Sequence, residues 1–187
     1  MTRRTARELA MLVTASLGPE ESGEEALNRF FEEEHFRSLA SEGEVFSQLP
    51  DKRQFRYIQA VVTGAAERRE ELDETIRAYS HGWRVERLSA VVRAVLRCAL
   101  FELRFLPEEF REEVPERVAI NEAVELTKKY GGEEAPAFVN GVLGGFVRSP
   151  KPDPEPEAKT APAPDVMTAP APESEPEPAP AGGEEDA

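Results

Sequence analysis

The stretch from Val118 to Val147, VAINEAVELTKKYGGEEAPAFVNGVLGGFV, constrains the chain most. Ala119, Ala123, Leu126 and Tyr130 recur in steps of four, three and four, which puts them on one face of a helix. Gly131 and Gly132 follow at once, where a left-handed residue can end that helix without steric cost. Pro136 suits the first turn of the next helix, which needs no N–H there. Phe138, Val142 and Phe146 make the second apolar row, flanked by Val139 and Leu143. Asn140-Gly141 and Gly144-Gly145 interrupt that second helix. Each interior glycine should cost about 1 kcal/mol relative to alanine. The interruption therefore marks either close helix packing or a site.

The rest of the chain repeats the helical pattern. A first helix is expected from about Thr2 to Leu17, with Ala6, Ala10, Val13 and Leu17 inward and Gly18-Pro19 as its stop. Its Arg3 and Arg4 precede a short apolar run in the manner of a secretion signal. Glu8 abuts that run and no small-residue cleavage site is clear, so a helix of the mature fold is expected. Leu27, Phe30 and Phe31 form the next buried face, and 41–50 is a loop with room for a turn of helix. Asp51 should cap one long helix from Lys52 to about Tyr79, with Phe55, Ile58, Val62, Ala65, Arg69, Leu72, Ile76 and Tyr79 along its packing seam. Gly64 on it suggests a close crossing. His81-Gly82 breaks the chain, Trp83 and Leu88 are core anchors, and Ser89 caps a helix that is apolar nearly all round and therefore central. Arg93, Arg97 and Arg104 share a face of it. Arg104 is expected in an ion pair with Glu86 or Glu102, whereas Arg93 and Arg97 could equally extend a basic surface. The fold class is all-α.

Charge divides the chain in two. The formal net charge is −14, and residues 149–187 hold two lysines against ten carboxylates, so the part before them is only mildly acidic. That excludes a non-specific nucleic-acid coat but leaves room for a local basic site. Residues 149–187 also hold 11 of the 16 prolines and no aromatic residue, a composition that cannot bury enough apolar surface to offset chain entropy. Two units follow: a helical domain over 1–148 and a disordered acidic tail over 149–187. One cysteine, Cys98, and two histidines, His35 and His81, offer no disulfide and no metal-ligand cluster. No apolar run approaches the roughly 20 residues that span a bilayer. A cytoplasmic protein without metal or cofactor is expected, and no pair of carboxylates is singled out for catalysis.

Arg3, Arg4 and Arg7 stand within one turn at the start of the first helix. Cations there oppose the helix dipole. The cluster is either a phosphate-binding site, where arginine forks and helix-end amides converge, or a solvated terminus.

Three segments in this order resemble the NusB family: RRTARELA, HGWRVERLSAVVRAVLRCALFEL and VPERVAINEAVELTKKYGGEEAPAFVNGVL. The resemblance spans most of residues 3–147. It implies two small helical bundles packed together and a non-enzymatic role in transcription antitermination. The expected partners are boxA-type single-stranded RNA of ribosomal-RNA leaders, the ribosomal protein NusE and, through it, the RNA polymerase antitermination complex. The resemblance assigns RNA contact to Arg3, Arg4 and Arg7, to Glu134 and Phe138 in GGEEAPAFVNG, and to Tyr79. Thr5 replaces one arginine of the family pattern. Ala15 and Val92 fall on the family's NusE-facing surface, where an aromatic and an acidic residue are usual, so NusE binding is expected to be rearranged or weaker. The alternative is a helical protein-interaction module that does not bind RNA directly.

Overall fold

The computed structural model describes residues 1–80 and 85–149, and among these residues every regular element is helical. The order is α1 (Arg3–Ala15), α2 (Gly23–Phe30), α3 (Glu33–Ser38), α4 (Lys52–Glu67), α5 (Arg69–Tyr79), α6 (Ala90–Phe105), α7 (Glu108–Arg111), α8 (Glu116–Tyr130) and α9 (Ala135–Arg148). Short 3-10 turns stand at Leu39–Ser41, Glu44–Phe46 and Val85–Arg87. The expected break at His81-Gly82, the core anchor Trp83, the Glu86 side chain and the tail from 150 onward lie outside the described residues.

The starts of the helices follow from their sequence. Ser22 and Glu25 form a reciprocal capping box at α2. The Asp51 carboxylate accepts from the Arg53 and Gln54 amides, and the Ser89 hydroxyl accepts from the Val92 amide. Between α8 and α9 the residue with left-handed backbone is Gly132, with φ 83°.

Helix α6 is central. It packs against α1 and α4 and also against α5, α8 and α9. Helices α1, α2 and α4 make one bundle around it, and α5, α8 and α9 make the second, with one continuous core. Val95, Leu96, Ala99, Leu100 and Phe101 of α6 are all buried, as its nearly uniform apolarity requires.

The long helix expected from Lys52 to Tyr79 is two helices. Arg68 leaves helical geometry at φ −103° and ψ 23°, so the chain bends between α4 and α5. The bend lets α4 stay against α1 and α2 while α5 crosses to α6 and α9. The stretch around it is less solvated than its charges suggest. Arg68 stacks 5.0 Å from the Phe105 ring centroid, and Arg69 donates to the Pro19 carbonyl.

Gly64 marks the crossing of α4 and α6. A Cβ there would stand 2.0 Å from Phe101 Cε2. Gly141 is different, since a Cβ there would meet nothing within 4 Å, so packing within this chain does not explain it. Opposite effects are therefore expected. Gly64→Ala should destabilise the fold by about 1–3 kcal/mol through overpacking. Gly141→Ala should stabilise it by about 0.5–1 kcal/mol through helix propensity. Urea unfolding midpoints of the two variants check both signs.

Candidate nucleic-acid interface

The first turns of α1 separate the three arginines. Successive residues turn by about 100° around a helix, so Arg3 and Arg7 share a face while Arg4 and Glu8 share another. The first face looks at α4 and α6, the second at α8.

On the first face, the guanidinium of Arg7 is inside the protein. Its Nε–H donates to both carboxylate oxygens of Glu102 at 3.0 Å, and the two side chains are 4% and 1% exposed. The buried Tyr57 hydroxyl donates to the same carboxylate. Burial alone would depress the Arg7 pKa, but the neighbouring Glu102 carboxylate more than offsets it and the net direction is upward. Burial, and then the carboxylate, push the Tyr57 hydroxyl well above the ordinary tyrosine value. The structure thus places Arg7, expected at the RNA, inside the protein, where its guanidinium is enclosed by Glu102 and Tyr57 and holds α1 to α6. Arg3 is also largely covered. It lies 4.1 Å from the Tyr57 ring centroid and 5.5 Å from that of Phe110. It pairs with Glu113, which Arg53 shares.

On the second face Arg4 is open, with 61% of its side chain exposed. Its Nε is 3.6 Å from Glu122 Oε2, too far for a hydrogen bond. One turn on, Glu8 Oε1 accepts from Lys129 Nζ and from the Tyr130 hydroxyl, each at 2.5 Å. The hydrogen bond that Lys129 donates to Glu8 raises the Lys129 pKa, and burial followed by the hydrogen bond to Glu8 raises that of Tyr130. Glu8 so ties α1 to the last turn of α8, beside the Gly131-Gly132 corner that leads to Phe138. Between α1 and the 44–48 segment runs a cleft of about 600 Å³, lined among others by Arg4, Glu8, Glu44, Gln48 and Lys129. Lys129, Glu8 and Tyr130 escaped the sequence reading. The available signal was Glu8 itself, a carboxylate set in an apolar helix face that needs a partner.

The other candidates are dispersed. Tyr79 is 9% exposed, packs edge-on to Phe146 at 5.9 Å, and its hydroxyl donates to the Ser149 carbonyl. Its ring, expected near RNA, is largely covered in this structure. It meets α9 at Gly145, about two turns and 10 Å along the axis from Phe138. Glu134 is exposed at the start of α9, and Phe138 is half-buried against the core. Ala15 is half-buried at the end of α1. Val92 is 4% exposed, with its side chain in the core.

The arginines of α6 are engaged locally. Arg97 donates two bonds to Asp73 at 2.7 and 2.6 Å, Arg93 donates to the Leu88 carbonyl, and Arg104 lies 3.5 Å from Glu71. Arg104 thus finds a carboxylate on α5, while Glu102 is taken by Arg7. Cys98 is buried with its thiol pushed up to about 12, which makes it unreactive. Among the described residues no group of three or more His, Cys, Asp or Glu could hold a metal ion, and no helix is long and apolar enough to cross a membrane.

Comparison with known proteins covers the same residues. The model of the NusB family matches residues 4–148. The transcription antitermination protein NusB of Clostridium botulinum (strain Kyoto / Type A2) is 37% identical over 148 residues, covering 79% of this chain and 100% of that protein. The NusB protein of Acetivibrio thermocellus is 38% identical over 149 residues, 79% of this chain and 90% of that one. A chain from the crystal structure of a plectonemic RNA supercoil superposes with a TM-score of 0.56 at 29% identity, covering 79% of this chain and 94% of that one.

The buried cluster makes its own prediction. Glu102→Ala leaves the Arg7 guanidinium buried and unpaired and should cost about 3–5 kcal/mol. Replacing all three partners together, as Arg7→Met, Tyr57→Phe and Glu102→Leu, should restore most of that loss, because no desolvated charge remains. Chemical denaturation of the two variants measures the difference.

Proposed function

Because the chain belongs to the NusB family of transcription antitermination proteins, which are not enzymes, we propose that it is an RNA-binding subunit acting in the cytoplasm. In this reading it binds a boxA-type single strand of ribosomal-RNA leader transcripts and works with NusE on RNA polymerase. The observation that carries the reading is the exposed Arg4 at the lip of the cleft between α1 and the 44–48 segment. The occurrence of a chain of similar fold in the crystal structure of an RNA supercoil supports it.

The division of labour follows from burial. Arg4 supplies a phosphate contact, for which a guanidinium fork is suited. Arg7 acts from inside, by fixing the turn of α1 that carries Arg4. Arg3 has most of its surface against Tyr57 and Phe110 and contributes charge more than contact. Phe138, half-buried at the start of α9, leaves part of its ring for an unpaired base, and the exposed Glu134 carboxylate can accept from a base edge. Tyr79 supports α9 from behind. NusE would meet the region of Ala15 and α6, where the missing aromatic and acidic residues predict a weaker interface.

Net acidity makes the binding local. With a formal net charge of −14, affinity must come from the few cations along the cleft and should fall with salt. Arg4→Glu should weaken binding to a boxA-like strand by about tenfold or more at low salt, with circular dichroism unchanged because the side chain is exposed. Fluorescence anisotropy of labelled leader RNA, with and without NusE, checks this. Wild-type affinity in the variant would return the chain to a protein-interaction module without direct RNA binding.

A further inference from the structure

Helices α1 and α8 exchange charges in a crossed pattern. Arg4 of α1 faces Glu122 of α8, and Lys129 of α8 faces Glu8 of α1. Both cations line the cleft, and both remain more than half exposed, at 61% for Arg4 and 56% for Lys129. Their carboxylate partners are largely covered, at 18% for Glu122 and 11% for Glu8. The cations thus stand outward and the anions beneath them.

Glu8 is held by two donors, the Lys129 ammonium and the Tyr130 hydroxyl. If Lys129 turns away, the carboxylate keeps a hydrogen bond. The ammonium has three N–H donors and gives one to Glu8, which leaves two for another anion. No comparable freedom exists for Arg7 or Arg97, whose side chains are only 4% and 12% exposed and are paired with Glu102 and Asp73.

We propose that Lys129 is a second phosphate contact for the strand that Arg4 binds, and that Glu8 sets the strength of that contact. Glu8 holds the ammonium at the edge of the cleft and competes with phosphate for it. This rests on the RNA-binding reading above, and it adds a residue outside the first helix to the strand's path. The consequence is a pair of substitutions with opposite signs on neighbouring side chains.

The experiment uses the full chain and a fluorescein-labelled boxA-like single strand, followed by anisotropy over a series of salt concentrations. Lys129→Gln should weaken binding about three- to tenfold at low salt and reduce the slope of log affinity against log salt by about 0.7, the value for one single-strand phosphate contact. Lys129→Arg should restore both. Glu8→Gln keeps an acceptor for Tyr130 and removes the competing charge, so binding should tighten about threefold, within the range of one ion pair whose cation is open to solvent. Lys129→Gln with wild-type affinity and slope would overturn the proposal, and so would a normally melting Glu8→Gln that binds more weakly. The exposed Lys129 variant decides the matter even if Glu8→Gln fails to fold. Inorganic phosphate that displaces the strand at matched ionic strength would mean a free-anion site and also overturn it. A wild-type chain that binds no strand at any salt would remove the RNA reading itself.

Discussion

A single carboxylate organises this protein. Glu102 lies on α6, the helix that every larger neighbour packs against, and it is buried. A buried charge without partners would cost several kcal/mol, so the fold is obliged to bring a cation to it. Arg7 comes from α1 and Tyr57 from α4, and the three groups pin those helices to the centre of the molecule. The rotation of α1 about its axis is thereby set. Once Arg7 points at Glu102, Arg4 and Glu8 must face α8, because the helix turns about 100° per residue.

That rotation produces the candidate surface. Glu8 meets the last turn of α8, Arg4 stands over Glu122, and the cleft opens between α1 and the 44–48 segment. An arginine cluster that looks uniform along the chain is therefore split by function. One member is a structural ion, one is stacked on aromatic rings, and one remains for solvent or ligand. At the cleft, Arg4 and Lys129 stand outward while their carboxylate partners, Glu122 and Glu8, are largely covered.

Much of the fold was legible from the sequence because it rests on local rules. Asp51 and Ser89 cap the helices they precede, Gly132 takes the left-handed corner, and Gly64 marks a helix crossing. What escaped depends on distant neighbours. Arg68 carries no glycine or proline to announce a break, and only the need for α5 to reach α9 explains it. The local spacing puts Arg7 within one turn of Arg3 and Arg4 but cannot show that Glu102, 95 residues away, draws it inside. The resemblance gives Tyr79 and Val92 outward roles, yet both are largely covered, Tyr79 against Phe146 of α9. Lys129 was overlooked because a lysine in the last turn of a helix is ordinary, and its place in the cleft depends on the position of α1.

The central claim is that Arg7 is a structural ion while Arg4 is a ligand contact, although only two residues separate them. Side-chain Nε–Hε resonances of arginine, recorded by NMR during titration with a boxA-like strand, test it most directly. The Arg7 signal should be protected from solvent exchange and stay in place throughout, while the Arg4 signal moves in proportion to bound RNA. An Arg7 resonance that exchanges freely in the free protein, or that shifts in step with Arg4, would contradict the account.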